Sequence, residues 1–206
     1  MWADNPTKLI NYNARDVRLT VGINETAGTI SFRDTLRKQI GVTFEQTRNN
    51  YQFIEMMARR KLYERREVGP TAAYDTGSEK YEGAVVFPPH SGVAENVVGI
   101  DVNSLYPWTM FMLNTSPDTQ IEAVVADAEG IPYCTAPSGV SFRLDRDGLF
   151  KELVEDAIGL KSEYGDLKDA ATPGSAEQAV WEEKYQVSKT ICNSIYGVCG
   201  WSKFFL

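Results

Sequence analysis

One aspartate and one helical face provide the side chains in this sequence that are best suited to phosphate chemistry. Asp101 directly follows the β-branched run at residues 97–100, and the turn-forming residues Asn103 and Ser104 come next. A carboxylate at the end of a buried strand can bind a divalent metal ion, and the backbone amides of a following turn can hold phosphates. Taken alone, the same pattern is also typical of an aspartate that caps a turn.

The helical face lies near the C-terminal end and consists of Lys189, Asn193, Tyr196 and Gly197. Residues at these spacings fall on one side of a helix. A lysine and an asparagine one turn apart are costly to bury, so this side is expected to meet something polar. A lysine on such a face suits a triphosphate, whereas a solvated polar face is the alternative interpretation.

The N-terminal third has the pattern of helices. Asn5 before Pro6 predicts a helix start, and apolar residues recur at helical spacing over residues 6–23. Helical patterns continue over residues 30–66 and break near Gly41. The basic run within them, residues 57–66, predicts either a nucleic-acid contact or a solvated helix face.

The middle of the chain predicts short strands. Residues 85–101 contain two β-branched runs separated by a loop, which predict two strands, with the second (97–100) buried. An irregular stretch is expected after Pro107, and residues 133–144 predict another strand pair.

Two helices are predicted after Gly148, separated by a break at residues 172–174. Ser175 and Gln178 have the spacing of a capping box, so the second helix should begin there and run to about Ile195. Two helices joined by a short polar turn form an antiparallel hairpin.

The composition limits the class of protein. Hydrophobic residues make up 43% of the 206 residues, which is typical of a globular chain, and no apolar run is long enough to span a membrane. His90 is the only histidine, which excludes a histidine-rich zinc site and argues against a Ser/His/Asp triad. The three cysteines form no Cys-x-x-Cys pair, so reduced thiols in a cytoplasmic protein are expected.

The net charge of -7, from 21 Lys and Arg against 28 Asp and Glu, argues mildly against simple non-specific binding to nucleic acid. Basic residues can nevertheless be concentrated where the nucleic acid lies, and high salt screens the repulsion. An excess of carboxylates is also typical of proteins from salt-loving organisms.

Together, the two phosphate-suited segments resemble family B DNA polymerases. Residues 101–107 match the family's palm motif Asp-x-x-Ser-Leu-Tyr-Pro, and residues 189–197 match the fingers motif Lys-x-x-x-Asn-Ser-x-Tyr-Gly. Residues 114–119 look like the family's Asn-x-Ser-Pro-Asp-Thr stretch, and residues 81–84 resemble the Tyr-x-Gly-Gly/Ala element between the exonuclease and polymerase domains. Tyr12 and Asp16, which complete the set, fit the third exonuclease motif, Tyr-x-x-x-Asp.

The resemblance implies an α+β fold made of a partial palm sheet, an antiparallel two-helix fingers hairpin and an N-terminal helical segment from the exonuclease domain. The implied divisions are the end of the exonuclease domain, a helical connector, the palm, the fingers and the start of the return to the palm, at residues 1–30, 31–80, 81–146, 147–197 and 198–206. The acidity and the Val-Asn-Ser-Leu-Tyr-Pro-Trp context point to a haloarchaeon or one of its viruses.

The resemblance also implies a role for each motif residue in nucleotide transfer. Asp101 would bind both catalytic Mg²⁺ ions of the complete enzyme, and the Val102 carbonyl would bind one of them. The Ser104 and Leu105 amides would hold the triphosphate, and Tyr106 would lie beneath the deoxyribose and exclude a 2′-hydroxyl. The remaining implied nucleotide contacts come from three side chains of the fingers, Lys161, Lys189 and Asn193.

Further implied contacts involve DNA and the exonuclease. Tyr196 and Gly197 would pack beside the nascent base pair, and Tyr81 and Gly83 would contact the template strand. Two residues of the first segment, Tyr12 and Asp16, would serve the exonuclease, the aspartate as a metal ligand. Where the family often has a second basic residue after Lys161, this chain has Gly165, and Trp108 stands where a serine is often found.

The family's second palm carboxylate motif, Asp-Thr-Asp, does not occur in the sequence, and we take the Asp-x-Glu at Asp127 and Glu129 as a chance match. We therefore expect that this chain alone neither polymerises nor proofreads, and that it works with the remaining polymerase segments or a partner subunit on primer-template DNA and dNTP. Two alternatives are a catalytically inactive module that binds DNA or a polymerase partner, and a nuclease that depends on Asp16. The whole interpretation requires Asp101 and Lys189 to face each other across a cleft sized for a nucleoside triphosphate.

Overall fold

The computed structural model describes residues 5–69 and 86–199, which form seven α-helices and a sheet of three short strands. The chain divides into two compact units, Met1–Arg48 and Asn49–Leu206. None of the helices in the described residues is both long enough and apolar enough to cross a membrane.

The first unit contains helices α1 (Pro6–Ala27) and α2 (Thr29–Ile40), followed by a 3₁₀ turn at Glu45–Thr47. The predicted start of α1 is confirmed, because the Asn5 side chain accepts a hydrogen bond of 2.9 Å from the Lys8 amide. The predicted break near Gly41 is confirmed as well. Gly41 has φ 75°, a conformation that favours glycine, and its N–H bonds back to the Arg37 carbonyl and ends α2.

The second unit contains the other five helices and the sheet. Its elements are α3 (Asn50–Arg65), α4 (Leu105–Leu113), β1 (Gln120–Ile121), α5 (Ala123–Glu129), β2 (Tyr133–Thr135), β3 (Ser141–Arg143), α6 (Leu149–Ala170) and α7 (Ala176–Cys199). The predicted strand pair is confirmed, since β2 and β3 are antiparallel with Tyr133 opposite Arg143 and Thr135 opposite Ser141. β1 pairs with the other edge of β3, which gives the order β1-β3-β2.

Helices α6 and α7 form the predicted antiparallel hairpin. Lys161 lies close enough to Cys192 to influence its ionisation, whereas Lys168, further along α6, lies over the ring of Tyr185, earlier in α7, at 4.7 Å from the centroid. The two helices therefore run in opposite directions. Buried side chains from both helices make up much of the core of this unit: Leu149, Phe150, Leu153, Val154, Ala157, Val187, Ile191, Cys192, Ile195 and Val198. Burying this apolar surface is the main stabilising contribution to the pair.

The start of α7 is close to the predicted capping box. The Gln178 amide donates to the Ser175 hydroxyl at 3.0 Å, as a capping box requires. The Gln178 side chain, however, accepts from the amide of Gly174 at 2.8 Å rather than from that of Ser175. The helix also runs four residues beyond the predicted end, to Cys199.

The start of α6 is capped by a distant loop. No side chain of the helix caps its own first turn, whose amides would otherwise lack partners. The Gly148 amide instead donates to Asn114 Oδ1 at 2.8 Å, the Leu149 amide to the Asp118 carboxylate at 3.1 Å, and the Phe150 amide to Ser116 Oγ at 3.3 Å. The stretch at residues 114–119 therefore fixes where α6 begins.

Arg65, at the end of α3, joins the same junction. Its guanidinium contacts the Asp118 carboxylate at 3.0 Å, the Glu152 carboxylate at 2.8 Å and the Asp147 carbonyl at 3.0 Å. Lys61 likewise pairs with Asp156 of α6 at 2.7 Å. The basic run at residues 57–66 is therefore not only a solvated face or a nucleic-acid contact, because two of its cations tie α3 to α6 and the capping loop.

Two predictions for the middle of the chain are wrong. Residues 97–100 form no strand and are not buried; Val98 and Ile100 are 83% and 91% exposed. A strand needs a neighbour for its backbone hydrogen bonds, and in the described residues every strand belongs to the β1-β3-β2 sheet, which does not include this run. The irregular stretch expected after Pro107 is helix α4 instead; Pro107 is tolerated because it lies in the first turn, where its missing N–H has no helical partner.

The coarse prediction of an α+β fold with a packed helix pair is confirmed, and the fold is mostly helical. The division of the chain at residues 30, 80, 146 and 197 stays a prediction. Part of it lies outside the described residues, as do Tyr81, Gly83 and the beginning of the first predicted strand.

The tight fit at Gly148 predicts opposite effects for two glycine substitutions. A Cβ at Gly148 would lie 2.7 Å from Ser116 Cβ and 2.9 Å from Thr119 Cγ2, whereas a Cβ at Gly159 meets nothing within 4 Å. We expect Gly148→Ala to lower the free energy of unfolding by about 1–3 kcal/mol through overpacking, and the control Gly159→Ala to raise it by about 0.5–1 kcal/mol through helix propensity. Urea denaturation measures both, and an equal response to the two substitutions would contradict the capping junction.

The ionisation of Asp118 predicts a pH dependence. Burial by itself raises the pKa of Asp118, but the Ser116 hydroxyl, the Leu149 amide and Arg65 together lower it below its usual value. A lowered folded-state pKa stabilises the fold above the unfolded value of about 4, and this contribution is lost as the pH falls through the folded-state value. We expect Asp118→Asn to lower the free energy of unfolding at pH 7 by about 1–3 kcal/mol, with the difference from wild type narrowing below about pH 4. Urea denaturation at several pH values between about 7 and 3 measures this difference. A difference in the free energy of unfolding between wild type and variant that does not change with pH would contradict the prediction.

Candidate functional site

The candidate site is built around the sharp turn between Asp101 and helix α4. Ser104 has φ 56°, a left-handed conformation that is unusual for a residue with a side chain, and α4 begins at the next residue, Leu105. The first amides of a helix lack helical acceptors and point away from its start, so this turn presents N–H donors to an anion. Tyr106 and Trp108 of the first turns of α4 are partly exposed, whereas Pro107 is buried.

Lys161 of α6 connects the α6–α7 hairpin to this turn. Its ammonium donates to Asn103 Oδ1 and to Ser104 Oγ, both at 2.7 Å. The Ser104 hydroxyl in turn donates to Asn103 Oδ1 at 3.3 Å. Two residues that the sequence associates with phosphate binding, Ser104 and Lys161, therefore lie in direct contact although 57 positions separate them.

The ammonium of Lys161 is a buried positive charge whose partners are neutral. Lys161 is only 8% exposed, and within the described parts of the chain none of the acidic side chains forms an ion pair with it. Burial raises the pKa of Cys192 to about 11, and the charge of Lys161 acts in the opposite direction, which shows that the lysine lies close to α7 as well. A buried cation without a counter-charge is costly, so this position favours an anionic ligand.

An aromatic contact joins α4 to α7. The rings of Tyr106 and Tyr196 are stacked, with their centroids 4.4 Å apart and their planes 16° from parallel. The sequence predicts both residues at one nucleotide site, and the structure brings them together. Both keep part of their surface exposed, so the pair lies at the edge of the core rather than inside it.

The predicted polar face of α7 is exposed. Lys189, Asn193, Tyr196 and Gly197 are all solvent-accessible, while the opposite side of the helix is buried through residues that include Ile191 and Ile195. Tyr196 is thus a member of both the exposed face and the stacked pair. This face therefore continues from the Tyr106 contact along α7.

Asp101 and Val102 are the two residues predicted to bind metal ions in nucleotide transfer. Both are exposed, so the Asp101 carboxylate is not enclosed in a core. A carboxylate and a backbone carbonyl are hard oxygen donors that suit Mg²⁺. Within residues 5–69 and 86–199 no group of three or more Asp, Glu, His or Cys side chains is placed so that it could hold a metal ion.

The two residues predicted for the exonuclease belong to the first unit. Tyr12 and Asp16 lie one turn apart on α1, where both are exposed. Their proposed role is not tested by any contact of the described residues. The three cysteines, Cys134, Cys192 and Cys199, form no disulfide with one another.

Sequence patterns missed two features of the site. Asn103 occupies a variable position of the palm motif, and nothing in the sequence indicates that it bonds to Lys161. Residues 114–119 match a stretch of the family, but that match does not predict that they cap α6. The run of short polar residues beside a proline is the signal that could have indicated the cap.

Comparison with known proteins gives one consistent result. The family model described as DNA polymerase family B matches residues 38–206. A DNA polymerase of Archaeoglobus fulgidus is 34% identical over 125 residues, which cover 61% of this chain and 15% of that protein. DNA polymerase 2 of Aeropyrum pernix is 28% identical over 203 residues, which cover 96% of this chain and 25% of that protein.

A solved structure is similar over nearly the whole chain. It is the family B DNA polymerase from the hyperthermophilic archaeon Pyrobaculum calidifontis, with a TM-score of 0.77 and 27% identity. The alignment covers 98% of this chain and 26% of that one. The chain thus spans about a quarter or less of the length of these archaeal relatives.

The stacked tyrosines predict a measurable coupling. Because aromatic pairs contribute about 0.5–1.5 kcal/mol beyond their burial, Tyr106→Ala and Tyr196→Ala should together lower the free energy of unfolding by less than the sum of the single effects. A double-mutant cycle by chemical denaturation measures the difference. Tyr63, which is 83% exposed on α3, is the control, since Tyr63→Ala should add to Tyr106→Ala. Additivity in the Tyr106–Tyr196 cycle would mean that the rings do not stack.

Proposed function

Because the chain belongs to DNA polymerase family B, we propose that it forms part of the active site of a DNA-directed DNA polymerase. The complete enzyme transfers a deoxynucleoside monophosphate from a dNTP to a primer 3′-hydroxyl, directed by a DNA template, during DNA replication. The chain spans only part of its relatives, so this activity is proposed for the polymerase that contains it, not for the chain by itself.

The observation that supports this proposal most is the buried cation of Lys161 beside the Ser104 turn. Its two acceptors are neutral oxygens at 2.7 Å, so a polyanion that reached the turn would supply the counter-charge that these acceptors do not. Charge-assisted hydrogen bonds to phosphate oxygens are stronger than those to neutral oxygens. The Ser104 and Leu105 amides at the start of α4 are additional donors for a triphosphate.

The sugar and base of the nucleotide are assigned to the tyrosine pair. We assign Tyr106 to the deoxyribose, where its ring would leave no room for a 2′-hydroxyl, and Tyr196 with Gly197 to the nascent base pair. Lys189 and Asn193 lie on the same exposed face of α7 and are assigned to the triphosphate and the nucleotide. The stacking of Tyr106 on Tyr196 supports a single site for these roles.

The donor atoms of Asp101 and Val102 fit Mg²⁺, and we assign both residues to the catalytic ions. Two bound Mg²⁺ ions would activate the primer hydroxyl and neutralise charge on the triphosphate. Asp101 contributes a carboxylate at the start of the turn, and its exposure leaves it accessible to metal, primer and nucleotide. The rest of the metal shell belongs to the remaining polymerase segments.

The other assignments follow the family resemblance. Residues 1–30 are assigned to the end of the 3′–5′ exonuclease domain with Tyr12 and Asp16 as its site residues, residues 81–146 to the palm and residues 147–197 to the fingers. Tyr81 and Gly83 are assigned to the template strand. A cytoplasmic location and a haloarchaeal source stay predictions.

Substituting the palm aspartate tests the proposed function. In the polymerase that contains this segment, we expect Asp101→Asn to lower primer extension with dNTP and Mg²⁺ on the order of a thousandfold or more, because a metal ligand that acts in the transition state is lost. The control is Asp127→Asn, which changes an exposed aspartate on α5 and should leave extension unchanged. Unaltered extension and metal-dependent dNTP binding in Asp101→Asn would instead favour a module that only binds DNA or a partner.

A further inference from the structure

Asn103 makes contacts that its variable position in the Asp-x-x-Ser-Leu-Tyr-Pro motif does not explain. Its side-chain oxygen accepts from the Lys161 ammonium at 2.7 Å and from the Ser104 hydroxyl at 3.3 Å. It therefore lies at the centre of a three-residue hydrogen-bonded group that links the turn before α4 to helix α6. Asn103 is exposed, so its identity is not set by packing in the core.

The chemical nature of this side chain decides how the charge of Lys161 is used. An amide oxygen can orient an ammonium by a hydrogen bond, but it does not neutralise it. A carboxylate at the same place would form an ion pair with the buried lysine, which holds it more strongly and cancels its charge. Arg65 and Lys61, by contrast, reach other elements of this unit and pair with carboxylates there.

We propose that Asn103 is a positioning residue that holds Lys161 over the Ser104–Leu105 turn while leaving its positive charge available to the triphosphate of the incoming nucleotide. This inference rests on the proposed nucleotide site. Asn103 acts through Lys161 and need not touch the substrate. Its effect is on triphosphate affinity, since it sets the place and the net charge of the group that meets the phosphates.

The variant Asn103→Asp separates this role from a structural one. The carboxylate gives the buried ammonium a counter-charge, so thermal stability should stay the same or rise, whereas a merely structural loss would lower it. At the same time KM for dNTP should increase by about tenfold or more with little change in kcat, because the hydrogen bonds from a charged lysine to phosphate are weakened. Stability and nucleotide affinity should thus move in opposite directions.

The experiment is single-nucleotide incorporation by the polymerase that contains this segment, with melting temperatures measured in parallel. Asn96→Asp is the matched control, since it adds the same charge to an exposed part of the same segment and should leave KM unchanged. Inhibition by inorganic tripolyphosphate provides a second readout that involves no base or sugar. It should weaken in Asn103→Asp by the same factor as KM increases.

A double-mutant cycle tests whether Asn103 acts through Lys161. Asn103→Asp should raise KM in the wild-type background and have little effect in Lys161→Met, where no ammonium is left to neutralise. An equal effect in both backgrounds, an unchanged KM, or an equal response to Asn96→Asp would each overturn the inference. Failure of the unsubstituted polymerase to incorporate dNTP would overturn the proposed function instead, so the two failures can be told apart.

Discussion

The capping of helix α6 by a distant loop is the contact on which the rest of the site depends. Three amides at the start of α6 find acceptors on Asn114, Ser116 and Asp118, more than 30 residues earlier in the chain. With the start of α6 fixed in this way, a rise of about 1.5 Å per residue places Lys161 roughly 18 Å along the helix from Leu149. Because the same loop follows α4 directly, it sets the distance between the α4 turn and Lys161.

Charge pairing separates the cations that stabilise this unit from the cation suited to a ligand. Arg65 meets the carboxylates of Asp118 and Glu152, so its charge is satisfied within the protein and it holds three elements together. Lys161 is buried to a greater extent but has only the neutral oxygens of Asn103 and Ser104 as partners in the described ranges. Lys161 forms no ion pair with these neutral partners. An anion that binds beside it would therefore add a favourable charge interaction that the protein itself does not supply. This contrast explains why the lysine of α6, rather than the basic run of α3, is the better candidate for phosphate.

Much of the architecture could be predicted from local patterns. The capping residue Asn5, the terminating Gly41 and the Ser175 cap act within a few positions of the residues they affect, so the helix starts and ends that they predict are confirmed. The run at residues 97–100 shows the limit of this approach. Its β-branched residues have the pattern of a buried strand, yet they are exposed and unpaired in the described residues, because a strand exists only with a neighbour.

Motifs and periodicity along the chain were enough to predict the family, the helical hairpin and the residue types available for phosphate and metal. Which of these residues meet is visible only in the folded chain. The stacking of Tyr106 on Tyr196 and the bonds from Lys161 to Asn103 and Ser104 join segments that are 57 to 90 positions apart. Such contacts depend on how α4, α6 and α7 pack together, and packing is a property of all three elements at once, which no single stretch of sequence encodes.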